Sequence, residues 1–144
     1  MTAVSQRSTS ASRVTSHSPV AHPAKHRMNN GDALALWHRV TLDSVLGDSP
    51  DLTSRQFALL TTVYLEGGPH TVRSLAARLG VTKAVITRAV DTLERYHFIE
   101  RAPDHRDKRS IIIKRTARGS TFLTRFAETI RAEMKLGQIN SVAA

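Results

Sequence analysis

The side chains with the clearest chemical capacity are basic and hydroxylic, and they fall in two runs. Thr82, Lys83, Ala84, Thr87 and Arg88 lie within two helical turns of one another, and Asp104-His105-Arg106-Asp107-Lys108-Arg109 is polar throughout. Ammonium and guanidinium groups bind phosphate oxygens. Arginine can also present two parallel donors to a guanine edge, and threonine or alanine can approach a base without blocking it. This is binding chemistry. Asp104 and Asp107 could form a catalytic carboxylate pair, but they sit in a basic loop where ion pairing accounts for them. The chain has no phosphate-cradling glycine motif, no metal-ligand spacing and no nucleophile signature. His70, His97 and His105 are scattered, and His17, His22 and His26 have no cysteine or acid beside them. The expectation is a protein that is not an enzyme and needs no metal or cofactor.

Charge points the same way. The chain has 144 residues, with 21 Lys and Arg against 12 Asp and Glu, a net charge of +9. Residues 71–118 hold twelve of the basic groups and five of the acidic ones, whereas residues 31–70 hold two and five. A positive field concentrated in one segment expects a polyanion, most often nucleic acid. Cysteine is absent. That excludes a disulfide framework, a cysteine zinc site, an iron–sulfur cluster and a thiol switch. No apolar run approaches the roughly 20 residues of a membrane span, so no membrane partner is expected. Residues 1–30 contain four basic groups, no acid, Pro19 and Pro23, and few large apolar side chains. They are expected to be a disordered tail. The tail lacks the apolar core of a secretory signal. Its Arg and Ser content has a likeness to a transit peptide without the amphipathic face, and Met28 is an alternative first residue.

These residues need elements to hold them. Asp32 is placed to cap a helix running to about Leu46, whose apolar residues cover more than one narrow stripe and so touch two surfaces. Gly47 to Asp51, with Pro50, makes a stop and a turn. Thr53 with Gln56 is a capping box for a helix carrying Phe57, Leu60, Val63 and Tyr64. Gly67-Gly68-Pro69 ends it. Thr71 caps a short helix closed by Gly80 in the left-handed conformation. Thr82 caps the next, with Ile86, Ala89, Val90 and Leu93 on one face and the basic and hydroxyl groups towards its start. Phe98–Ala102 and Ile111–Ile113 read as strands of a hairpin with a charged tip. Thr116 caps a final helix bearing Phe122, Phe126, Ile130 and Met134, which Gly137 is expected to end. The predicted fold class is mainly α with a small β-hairpin wing, a winged helix-turn-helix. It occupies residues 31–136, followed by a flexible 137–144.

In such an arrangement the start of the second helix of the pair enters a major groove about 12 Å wide, while its far face packs on the core. Arg106, Lys108 and Arg109 at the hairpin tip suit a narrow, electronegative minor groove or the flanking phosphates.

Residues 31–136 resemble the MarR family of transcriptional regulators. The likeness is carried by Leu52-Thr53-Ser54-Arg55-Gln56-Phe57, Leu75-Ala76-Ala77-Arg78-Leu79-Gly80-Val81, Val90-Asp91-Thr92-Leu93-Glu94 and Phe98-Ile99-Glu100-Arg101. Above all, Asp104 to Arg109 matches the family's D-x-R-x-x-R wing. The resemblance implies a recognition helix opening with Thr82, Lys83, Ala84, Thr87 and Arg88. It implies Arg106 reaching the minor groove, and Asp104, Asp107 and Arg109 bracing the wing through ion pairs. It also implies a homodimer joined by the terminal helices, a palindromic double-stranded DNA site, release by a small, often aromatic effector, and a cytoplasmic, nucleoid-associated location. Leu34, Trp37, Phe122, Phe126, Ile130 and Met134 are the apolar residues expected at the dimer contact. Trp37 is expected in the core or at an interface.

Three positions depart from the family pattern. His97 stands where glycine is usual, Arg115 where an apolar residue is frequent, and only 25 residues follow Gly119, so a reduced dimerisation region is expected. A second reading stays open: a winged-helix module that contacts another regulator or the transcription machinery without specific DNA binding of its own.

Overall fold

The computed structural model describes residues 28–142, with side-chain surroundings through residue 137. Most of the expected tail lies outside the described residues. The order is α1 (Asn30–Leu46), α2 (Ser54–Leu65), α3 (Val72–Leu79), α4 (Lys83–Arg95), β1 (Ile99–Pro103), β2 (Ile111–Arg115) and α5 (Ala117–Val142).

Helix starts follow their capping chemistry. Thr53 and Gln56 exchange side-chain and backbone hydrogen bonds at the start of α2 (2.9 and 3.2 Å), as expected. Thr71 caps α3 and Thr82 caps α4. At α1 the cap is Asn29, not Asp32. Asn29 Oδ1 accepts from the Asp32 amide at 2.9 Å, and Asp32 Oδ2 accepts from the Asn29 amide at 3.0 Å. A reciprocal box satisfies two otherwise orphaned donors, so the helix begins earlier than a lone Asp32 cap would place it.

Two helix ends share one motif. Gly80 adopts φ 65°, with Val81 N–H bonded to the Ala76 carbonyl. His97 adopts φ 58°, with Phe98 N–H bonded to the Leu93 carbonyl. Each is the six-to-one bond of a Schellman end, satisfying carbonyls the helix leaves open. Gly137 does not end α5, which runs on to Val142. A glycine inside a helix costs about 1 kcal/mol. Here a Cβ at residue 137 would lie 3.1 Å from Arg39 Nη2, so the missing side chain admits an arginine of α1.

The core is built from Leu59, Leu60 and Val63 of α2, Leu75 and Ala76 of α3, and Ile86, Ala89, Val90 and Leu93 of α4, closed by Phe98, Ile99 and Ile113. The helical period placed all four α4 residues inward, as their spacing predicts. β1 and β2 pair antiparallel from Ile99–Arg115 to Pro103–Ile111, and Ile113 N–H bonds the His70 carbonyl at 2.7 Å. β1 lies one residue later than the expected Phe98–Ala102, β2 runs two residues past Ile113, and Pro103 takes the last pair, the terminal position such a residue tolerates. The result is a helix-turn-helix (α3–α4) followed by a hairpin wing.

α1 lies against α5. Arg39 pairs with Glu133 at 2.7 Å and also reaches its carbonyl, and Thr129 donates to Asp43. Within α1 only Val40 is buried, among the described residues. Trp37 is 64% exposed, so it is not a core residue of the single chain. No helix among the described residues is long and apolar enough to cross a membrane.

Candidate nucleic-acid interface

Thr82, Lys83, Ala84, Thr87 and Arg88 are all exposed at the start of α4, and the apolar face of the same helix holds them against the core. The Thr82 hydroxyl accepts from the Val85 amide, and the Thr87 hydroxyl donates to the Lys83 carbonyl at 3.0 Å. The Thr87 proton is thus committed to its own helix, and the oxygen retains lone pairs for an incoming donor.

The wing loop is held by its aspartates through a route the sequence reading did not assign. Asp104 Oδ1 accepts from the Arg106 amide at 2.9 Å. Asp107 Oδ1 accepts from the Arg109 amide at 3.1 Å, and Oδ2 accepts from the Ser110 hydroxyl at 2.9 Å. These are Asx-type turns, which short acidic side chains form readily. The carboxylates therefore shape the loop through backbone amides in place of the expected ion pairs. The Arg106, Lys108 and Arg109 side chains stay exposed.

The distribution of ion pairs separates two classes of arginine. Glu133 holds Arg39, Glu66 holds Arg78, and Asp91 with Glu94 holds Arg101. Lys83, Arg88, Arg106, Lys108 and Arg109 hold no carboxylate among the described residues. The hydrogen bond and charge of Arg78 draw the Glu66 carboxyl below its ordinary range, and the same contact raises the Arg78 guanidinium. For Arg101, partial burial pulls downward, and the bonds to Asp91 and Glu94 outweigh it and raise the guanidinium. Four acids thus hold arginines that join elements, and the cations of the two contact runs hold none.

Several positioning residues escaped the sequence reading. Arg101 of β1 bonds Asp91 Oδ1 at 2.5 Å and Glu94 Oε2, while its amide bonds Glu94 Oε1 at 2.9 Å. It thereby ties β1 to α4. Arg115 donates to the Val63 and Glu66 carbonyls at 2.9 and 3.2 Å and lies over the Tyr64 ring. Its polar partners explain why an arginine stands where an apolar residue was expected. Tyr64 OH joins Phe98 and Thr116 at 2.7–2.9 Å, fixing the wing's return to α5. Arg55 lies beside Arg88 on a groove between α2 and α4. The available signal was a basic residue in the first turn of a capped helix, where the dipole disfavours it.

Of the residues expected at a dimer contact, Leu34, Trp37 and Met134 are exposed. Phe126 packs on Phe57 with centroids 4.6 Å apart, and Phe122 stacks on Phe98 at 4.4 Å, so both serve the single chain; Ile130 is half-buried. An apolar cleft of about 270 Å³ opens between α1, α2 and α5, lined by Trp37, Val45, Leu52, Phe57, Phe122 and Phe126. No group of three metal-ligating side chains occurs among the described residues.

The sequence profile of the MarR family matches residues 52–111. The uncharacterized HTH-type transcriptional regulator YkoM of Bacillus subtilis is 34% identical over 68 residues, 47% of this chain and 44% of that protein. The HTH-type transcriptional repressor NicR of Pseudomonas putida is 29% identical over 94 residues, 64% of this chain and 59% of that protein. The chain thus spans about half the length of the curated relatives it matches. Among solved structures, a mutant of S. aureus MepR bound to an oligodeoxyribonucleotide superposes with a TM-score of 0.58 at 20% identity, covering 77% of this chain and 76% of that one.

Proposed function

We propose that this chain is a MarR-family transcriptional regulator that binds DNA sequence-specifically and acts as a homodimer on a palindromic site. The observation that carries this reading is the set of exposed cations on α4 and the wing tip, Lys83, Arg88, Arg106, Lys108 and Arg109, none of which holds a carboxylate among the described residues. The start of α4 enters the major groove, with Arg88 reading a base edge and Lys83 neutralising phosphate. Arg106 enters the adjacent minor groove, and Lys108 and Arg109 hold the flanking backbone. The regulator and repressor relatives, and the oligonucleotide bound to the MepR mutant, support the same assignment. The cleft beside Trp37 would take a small aromatic effector.

The test is fluorescence anisotropy on duplex from upstream of the gene, with random DNA as competitor. Competitor-resistant binding is expected, and Arg88→Ala should lose about 1–3 kcal/mol on the specific duplex and less on random DNA. Binding no tighter than to random DNA would overturn sequence-specific regulation and favour a winged helix that contacts protein.

A further inference from the structure

Arg55 is the second residue of α2, directly after Thr53 and Ser54. Its side chain is exposed and holds no hydrogen bond or ion pair among the described residues. It lines a groove of about 200 Å³ with Thr53, Gln56, Val85, Arg88 and Thr92. Two guanidiniums therefore face one groove, and no carboxylate lies on its walls. A third approaches the rim, since Arg95 Nη2 donates to the Thr92 hydroxyl at 3.3 Å. Gln56 Oε1 is engaged by the Thr53 amide, which leaves its NH2 group as a further donor. The charge on the groove walls is thus uniformly positive.

Local stability does not explain this. The first turn of a helix favours acids, yet α2 has none there and places a cation at the second position, as α3 does with Arg73 and α5 with Arg118. What sets Arg55 apart is that it contacts nothing in the fold and shares an acid-free groove with a second guanidinium, that of Arg88, which points to an anionic partner outside the chain.

We propose that Arg55 is a DNA-phosphate ligand, and that it and Arg88 clamp one backbone phosphate in the groove between α2 and α4. The proposal rests on the DNA-binding reading above and adds a contact from outside the helix-turn-helix and wing. Arg88 would be shared between base edge and backbone. Arg55 would fix the register with which α4 enters the groove, without reading sequence itself.

The experiment measures binding of the full chain and of Arg55→Ala, Arg55→Lys and Arg88→Ala to the specific and a random duplex across a salt series. Each phosphate contact contributes about 0.9 to the slope of log K against log salt. Arg55→Ala should lower that slope by about one on both duplexes and leave their affinity ratio intact, while Arg55→Lys retains the slope. Arg88→Ala should lower the ratio. Thermal unfolding should put Arg55→Ala at or above the melting temperature of the parent, because an unfavourable charge has been removed. An unchanged slope overturns the phosphate role while wild-type binding leaves the DNA reading intact. A fall in the affinity ratio for Arg55→Ala overturns it in favour of base readout. Absence of salt-dependent binding by the wild type overturns both readings together.

Discussion

Gly119 is the position where a single atom is least affordable. A Cβ built there would sit 2.1 Å from both the Phe98 carbonyl oxygen and the Tyr64 hydroxyl. Neither is the free end of a flexible chain: one is backbone and the other is held by Phe98 and Thr116. Gly119→Ala must push α5 away from the wing or break the tyrosine's bonds, and should cost about 3 kcal/mol. Urea unfolding followed by circular dichroism checks this, and a loss under about 1 kcal/mol would show that the first turn of α5 slides freely. His97 shows how much can be read at this scale. It stands where the family pattern has glycine, and a left-handed φ of 58°, which glycine tolerates best, is found there. A capping position is local, so the sequence carries it. The Tyr64 hydroxyl joins residues 34 and 52 positions away, and no local pattern announces such a bond.

At the scale of elements, the relation between α4 and the wing depends on Arg101. Packing fixes the buried faces of both elements, but the hairpin is two-stranded and its tip extends beyond the core. Asp91 and Glu94, three residues apart on α4, present their carboxylates to the same guanidinium. Arg101→Met would release that link and leave two like charges on α4. The expected result is a loss of about 1 kcal/mol in stability, as suits a half-exposed network. A larger effect is expected on DNA, where the flanking protection supplied by Arg106 should fade while the central footprint persists. Footprinting of the variant measures this, and unchanged flanks would mean that the wing is positioned without the clamp. The helices and hairpin were legible because apolar periodicity and caps are repeated signals. The clamp was not, because a paired arginine and a free one are the same letter. Only the fold shows that Arg101 faces two acids and Arg88 faces none. The same limit applied to Asp104 and Asp107, expected in ion pairs, whose partners are backbone amides and the Ser110 hydroxyl.

At the scale of the molecule, α1 presents a problem that one copy of the chain does not solve. Leu34, Trp37, Val45 and Leu46 are each more than 60% exposed on one helix, and Met134 and Leu136 are exposed on α5. Burying a large apolar side chain is worth about 1.5–3 kcal/mol, so this surface strongly favours being covered. α1 is held to α5 by Arg39–Glu133 and Asp43–Thr129, so the pair can act as one preformed unit in association. Covering it with a second copy would place two recognition helices on one duplex, where half-sites a helical turn apart convert two weak contacts into one strong one. Trp37→Asp sets a carboxylate on that surface at a residue 64% exposed in the single chain. The variant should sediment as a monomer at concentrations where the parent is a dimer, and its operator affinity should fall by at least tenfold. The parent's melting temperature should rise with protein concentration and the variant's should not, because only an associating fold is stabilised by mass action. Sedimentation velocity and melting curves over a hundredfold concentration range read both effects. A parent that is monomeric throughout and still binds its operator tightly would require each chain to read its site alone.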